Sequence, residues 1–415
     1  MRKDVPEGTD DPKIPIKHIL VLMQENRSFD SYLGALAHQG YEGQVDGISD
    51  KLYNLDPSGT PIPMFHQKDL CVANPKHRWD DEHFSWNNGK LDQFVKRNGR
   101  KVMGYFDRSD LPFYYALANQ FAVADRYFCS SLTQTFPNRF FLYAATAFGT
   151  TANSWPISFR NFHLNDLLHL RFKRTFQYDQ PTIFDLLDKN HIRWKYYTDD
   201  HDFLSRFRVM SKGHHKVFDS TEYEQDLRNN SLPQVTFLDS AHDEHPPQNI
   251  QLGQEWVAKR IHSLIKSSSW RSSALFLTYD ENGGFYDHVP PPHACIPDSK
   301  PPLLSRGEHG AYDRYGFRVP FILISPFAKH HFVSHTVYDH TSILKFIETK
   351  FNLPALTKRD ANANDMLDLF DFQHPTYTVK RLPSGEHNRH RFCGVNTAAS
   401  SERLEATEDE VDPDD

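Results

Sequence analysis

Five short apolar runs, rich in β-branched and aromatic residues, set the fold class. They are HILVLM (18–23), RWKYYT (193–198), QVTFLD (234–239), ALFLTY (274–279) and VPFILI (319–324). Runs this short, with little polar alternation, read as strands buried on both faces. Between them, LGQEWVAKRIHSLIK puts Leu252, Trp256, Ile261, Leu264 and Ile265 on one helix face. TVYDHTSILKFIETKF (336–351) and PTIFDLLDKN (181–190) read likewise, and LPFYYALANQFAVADRYF (111–128), apolar nearly all round, reads as a buried helix. Strands alternating with helices predict an α/β fold: a central, mostly parallel sheet flanked by helices on both faces, with loop insertions. One large domain over residues 15–380 accommodates most of the 415 residues, with a C-terminal extension at 381–415. Insertions rich in Pro, Gly, Asp and His are expected near 40–80, 200–230 and 290–315.

Charge narrows the partners. A net charge of −7 with scattered Lys and Arg argues against a general nucleic-acid binder, so none is expected. Cys71, Cys129, Cys295 and Cys393 lie far apart and form no thiolate zinc motif, although one or two disulfides remain open. The N-terminus lacks the apolar core of a secretory signal, and Ile19 to Met23 is too short to span a membrane. We therefore expect no transmembrane segment, and either a cytoplasmic location or export by a signal-independent route. The last residues, SSERLEATEDEVDPDD, carry eight acids against one Arg, a composition that predicts a disordered tail.

Two of the strands end alike. VLMQENRSFDSYLG runs from apolar residues straight into Glu25, Asn26 and Arg27, and ALFLTYDENGGFYDH runs into Asp280 and Glu281. Ligands of open α/β sheets sit beyond the carboxyl ends of the strands, so both tips can meet there. Three carboxylates in one small site repel one another and raise each other's pKa, a conflict that a divalent cation removes. Three acids and an amide make an oxygen-rich metal site. Either tip alone reads as well as a helix cap or a solvated acid.

A metal needs a reaction. SSLTQTFPNRFFLYAATAFGT (130–150) offers hydroxyls, of which Thr135 is the best candidate nucleophile. Asn138 and Arg139 follow closely and can hold an anionic group. HRWDDEHFSWNNGKLDQF (77–94) and DSAHDEHPPQNI (239–250) place His77, His83 and His245 beside acids, and an imidazole can protonate a departing alkoxide.

In this order, VLMQENRSFDSYLG, TFPNRFFLYAAT, DEHPP, TYDENGGFYDHVPPP and FRVPFILISPF resemble the phosphoesterase family of non-specific phospholipases C and related acid phosphatases. The likeness runs from about residue 15 to 355. It implies an alkaline-phosphatase-like α/β core and a cation held by Glu25, Asn26, Asp280 and Glu281. It implies Thr135 as nucleophile, with His77, Asp243 and His245 lining the phosphate pocket and His288 as a further candidate there. Oxygen ligands suit Mg, Mn or Ca, whereas relatives in the wider superfamily often use zinc, which is the ion favoured here. The expected activity is a metal-dependent phospholipase C that releases diacylglycerol and a phosphorylated headgroup through a phosphothreonine intermediate. The expected partner is a phospholipid, met by transient contact with a membrane surface. An acid-phosphatase-type phosphomonoesterase and a non-catalytic lipid- or metal-binding module are the alternatives. Delivery by a specialised bacterial secretion system would fit the absent leader and the acidic tail.

Overall fold

The structure, a computed structural model, describes residues 1–153, 180–199, 203–206, 216–385 and 393. The predicted acidic tail lies outside these residues. All five expected strands form. Eight strands make the main sheet: β1 (His18–Gln24), β2 (Ala122–Ala124), β3 (Trp194–Thr198), β4 (Val217–Phe218), β5 (Val235–Asp239), β6 (Ser273–Tyr279), β7 (Phe321–Ile324) and β8 (Phe332–Ser334). Their order is β8-β2-β7-β6-β1-β5-β3-β4. β7 runs antiparallel to both of its neighbours, and every other pairing is parallel. β1 lies at the centre, in register with β6 (Gln24 opposite Tyr279) and with β5 (Met23 opposite Asp239).

Residues paired across parallel strands share a face, so Val21, Phe237 and Phe276 point the same way. That face packs on α3 (Thr135–Ala144), α4 (Ile183–Lys189) and α7 (His340–Phe351): Phe237 meets Tyr143 and Phe184, and Phe276 meets Phe346. Leu277 on the other face lines a small cavity together with Tyr114 of α2 (Pro112–Ala118), and α2 packs on α6 (Ile250–Lys266). Two further helices complete the framework used below, α1 (Trp79–Trp86) and α5 (Ser220–Arg228). Apart from His18 at the start of β1, the three central strands are buried along their length, as their mostly apolar character requires.

Three expectations are corrected. Residues 111–128 are not one helix, because α2 ends at Ala118 and Ala122–Ala124 joins the sheet as β2. An apolar run buried on all sides has no period to distinguish helix from strand. The 200–230 insertion contains α5, started by Asp219, whose carboxylate accepts from the N–H groups of Thr221 and Glu222. The helix read over 336–351 begins only at His340, after Asp339 at its N-cap.

Candidate active site

Three adjacent parallel strands deliver the site. β6, β1 and β5 end side by side, so the segments after Tyr279, Gln24 and Asp239 emerge at one edge. The tips are cross-linked. Asn26 N–H donates to Asp280 Oδ1 (3.0 Å), Arg27 N–H to the Glu281 carbonyl (3.0 Å), and Glu25 N–H to the Asp243 carbonyl (2.8 Å). Asn26 adopts φ 60°, a left-handed conformation that Asn tolerates better than most residues. Gly283 has no substitute here. At φ 64°, an added Cβ would stand 2.5 Å from the Asn26 carbonyl oxygen. The glycine lets one acidic turn abut the other.

Each of the two strand tips contributes oxygens that nothing fills. Asn26 Oδ1, Asp280 Oδ2 and Glu281 Oε1 are all buried and have no hydrogen-bond partner. Such atoms are expensive to leave unpaired. Burial pushes Asp280 well above the usual carboxylate range, with Glu25 and Glu281 adding to it. Burial does the same for Glu281, with Glu25 adding to it. This donor set fits a divalent cation: hard oxygens, several carboxylates, and no hydrogen bond within the protein to the three atoms. Glu25 stands beside them, its Oε1 taken by Arg139 (2.9 Å).

His77 closes the cluster. Its Nδ1 donates to the Pro75 carbonyl (2.7 Å), which leaves Nε2 as the acceptor end of a neutral ring. Nε2 accepts from Asn26 Nδ2 (3.3 Å) and lies 3.5 Å from Glu281 Oε1. Burial holds His77 below the usual imidazole range, which suits it to accept a proton or bind a metal rather than donate. His245 stands beside it, ring centres 6.3 Å apart, and is half-buried. Its Nδ1 donates to the Pro246 carbonyl (2.6 Å), and its N–H is held by Asp243 Oδ1 (3.0 Å).

Thr135 opens α3 and is buried. Arg139 follows one helical turn later on the same face. Arg139 Nη2 reaches Glu25 Oε1 (2.9 Å), Nη1 reaches Asp239 Oδ1 (2.8 Å), and Nε lies 3.8 Å from Asp280 Oδ2. The face of α3 that carries Thr135 is therefore clamped to the acidic tips. The first turn also points the positive end of the helix dipole toward that edge.

Several expected roles change. Asn138 and Arg139 were expected to hold an anion; Asn138 is engaged within its own turn, and Arg139 pairs with Glu25 and Asp239 while its Nε keeps no hydrogen-bond partner. Asn138 Nδ2 donates to the carbonyls of Thr133 (2.9 Å) and Gln134 (3.1 Å), and its Oδ1 accepts from Ser131 N–H (3.0 Å), so it shapes the turn before Thr135. His288 lies in a different network. Its Nδ1 and Nε2 meet Asp30 (2.7 Å) and Asp46 (2.9 Å), and Arg318 pairs with Asp30 and Asp287 (2.9 and 2.8 Å). Asp30, Asp287 and His288 lie close enough to suggest a metal group, yet the guanidinium already neutralises it. His83 donates to the Trp79 carbonyl (2.7 Å) and stacks on Trp79.

Three acids went unnamed in the sequence. Asp239 is the second carboxylate on Arg139, and burial pushes it up to about 6 despite that partner. Glu82 lies behind Asn282, its Oε1 unpaired. Burial and Glu281 push it well up. Glu244 accepts from the hydroxyls of Tyr114 (2.5 Å) and Tyr279 (2.8 Å) beneath the DEHPP turn. Asp239 and Glu244 stood inside the DSAHDEHPPQNI segment and Glu82 inside HRWDDEHFSW, but sequence spacing does not say which acid of a cluster faces inward.

The Phosphoesterase family profile matches residues 16–354. Phospholipase C B of Mycobacterium tuberculosis is 30% identical over 438 residues, covering 90% of this chain and 81% of that protein. Phospholipase C A of the same organism is 31% identical over 422 residues, covering 88% and 79%. Non-specific phospholipase C1 of Arabidopsis thaliana is 31% identical over 387 residues, covering 84% and 69%. A solved alkaline phosphatase superfamily protein from Vibrio parahaemolyticus is 10% identical, covers 87% of this chain and 71% of that one, and overlays with a TM-score of 0.40.

Proposed function

Because the chain belongs to the phosphoesterase family and is a phosphoric ester hydrolase, we propose that it acts as a metal-dependent phospholipase C through a phosphothreonine intermediate. The carrying observation is the trio of partnerless buried oxygens on Asn26, Asp280 and Glu281, clamped through Arg139 to the helix that Thr135 opens. Those oxygens, with Glu25 beside them, would hold the ion. The His77 Nε2 lone pair near Glu281 adds a nitrogen donor, which favours zinc over the hard ions. A bound dication would neutralise the carboxylates and favour the alkoxide form of a neighbouring hydroxyl.

The chain's own groups do the rest. Thr135 Oγ1 attacks phosphorus in line with the departing diacylglycerol oxygen. The N-terminal turn of α3 stabilises charge on the equatorial oxygens. His245, the less buried of the two imidazoles, protonates the leaving alkoxide and, neutral after that transfer, takes the proton of the water that later splits the phosphothreonine. Asp243 fixes the backbone of His245. The disulfide between Cys71 and Cys393 supports work in an oxidising compartment, hence export rather than residence in the cytoplasm.

The test is a headgroup-release assay on phosphatidylcholine beside a simple phosphomonoester. The account expects diacylglycerol from the first and little turnover of the second, and Thr135→Ala should reduce release by several orders of magnitude with the fold intact. Preference for the monoester would replace the phospholipase reading with a phosphatase one.

A further inference from the structure

β6 leaves the sheet at the site edge, and β7, antiparallel to it with Phe321 opposite Thr278, re-enters at that same edge. Residues 280–320 are therefore one excursion built on the active-site end of the sheet. Seven large hydrophobics are exposed among the described residues, and three of them fall in this excursion: Ile296 (50% exposed), Leu303 (66%) and Leu304 (38%). Isolated exposed leucines need no explanation, but a group of them on one loop at a site mouth does.

The loop is not loose. Leu303 N–H donates to the Gly149 carbonyl (2.7 Å), and Thr151 Oγ1 donates to the Leu303 carbonyl (3.3 Å). Thr133 Oγ1 in turn bonds the Thr151 carbonyl, two residues before Thr135. On the other side, Trp79 Nε1 donates to the His309 carbonyl (2.8 Å), two residues after His77. Asp298 is turned inward onto Thr146 Oγ1 (2.6 Å), and Glu308 folds back onto Ser305 N–H (2.6 Å). Asp298 and Glu308 are thus engaged within the protein and Asp313 stays exposed further along, while Lys300 and Arg306 lie on either side of Leu303 and Leu304 in sequence. No described helix is long and apolar enough to cross a membrane.

We propose that the loop bearing Ile296, Leu303 and Leu304 is the surface on which the protein docks to a phospholipid bilayer, its leucines entering the headgroup region and its Lys and Arg facing phosphates. This rests on the phospholipase reading and adds to it the part of the chain that meets the lipid. The anchors to the Thr133 and Trp79 segments mean that a docked loop holds the site mouth against the bilayer. Amphipathic surface contacts of this kind need buried apolar area plus basic flanks, and both are present.

The experiment uses the full chain carrying Thr135→Ala, so that hydrolysis does not consume the membrane, and measures co-sedimentation with phosphatidylcholine vesicles. The Thr135→Ala protein should partition onto vesicles. Adding Leu303→Asp and Leu304→Asp should weaken partitioning roughly tenfold or more. In the otherwise native protein, Leu303→Asp with Leu304→Asp should lower turnover of vesicles yet leave turnover of a short-chain phosphatidylcholine, kept below its micelle concentration, unchanged. Equal partitioning with and without the aspartates overturns the proposal, as does failure of the Thr135→Ala protein to bind vesicles at all. Vesicle-independent self-association abolished by the same aspartates would assign the surface to a second copy instead and also overturn it. Failure of the native protein to hydrolyse either lipid form sinks the phospholipase reading, whereas docking is judged by partitioning alone. Leu303→Ser, a milder change, should weaken partitioning less than the aspartate pair, and an effect equal to none would count against docking.

Discussion

Asn26 donates its backbone N–H to Asp280 Oδ1 at 3.0 Å, across 254 positions of sequence. Asp280 Oδ2 is left without a hydrogen-bond partner, and so are Asn26 Oδ1 and Glu281 Oε1 on the same two strand tips. A fold does not normally bury three such atoms together unless something else satisfies them. On the reading proposed above, these tips hold a cation rather than merely starting the segments that follow.

Arg139 clamps the acidic strand tips to α3, the helix that opens at the proposed nucleophile Thr135. Arg139→Met removes the guanidinium from Glu25 and Asp239 and leaves two buried acids without their counter-charge. The expected loss is about 3–5 kcal/mol of unfolding free energy, read from denaturant melts. A loss within experimental error would mean that the clamp is dispensable.

Asn138 tests positioning against anion binding. Asn138→Ala deprives the Thr133 and Gln134 carbonyls of their donor and should cost about 1–3 kcal/mol of stability. Turnover should fall because Thr135 loses its fixed approach, while inhibition by inorganic phosphate stays unchanged. A large weakening of phosphate inhibition would instead restore Asn138 as a direct ligand of the anion.

Glu244 makes stability depend on pH. Burial raises it from 4.5 to about 7, against the hydrogen bonds from Tyr114 and Tyr279. The folded state then holds a proton that the unfolded chain releases, so stability falls as pH rises from about 4.5 to about 7. The size is at most about 3 kcal/mol. Glu244→Gln should flatten that slope in melts at pH 4.5 and 8; an unchanged slope would contradict the assignment.

His288 acts with the opposite sign. Burial works against its charged form, but Asp30 and Asp46 carry it up to about 10. Its contribution is fully present below about 6.5 and disappears as pH rises through about 10. His288→Asn should cost on the order of 2 kcal/mol at pH 6, with the deficit shrinking toward pH 10. A pH-independent deficit would show that the ion pairs do not matter.

Much of this was legible in advance for a physical reason. Uninterrupted apolar runs announce buried parallel strands, and an acid directly after such a run cannot enter the core, so Glu25 and Asp280 had to lie at a strand end. Register then brings the two tips together, because β1 and β6 are neighbours. β2 was not legible, since Ala122–Ala124 carries no period. Nor were the occupations of Asn138, Arg139 and His288. Residue type tells what a side chain can bond, whereas its actual partner depends on which distant segment arrives first. The spacing of Arg139 after Thr135 offered it to an anion, whereas Glu25 and Asp239, at two strand ends, take its two terminal nitrogens.

Metal analysis of the purified chain decides whether the strand tips of β1 and β6 hold an ion. One divalent ion per chain is expected, bound equally by the native protein and by Thr135→Ala, and lost from Asp280→Ala and Glu281→Ala proteins that still melt cooperatively. A native protein that binds no dication, or an Asp280→Ala protein that keeps its ion, would contradict it.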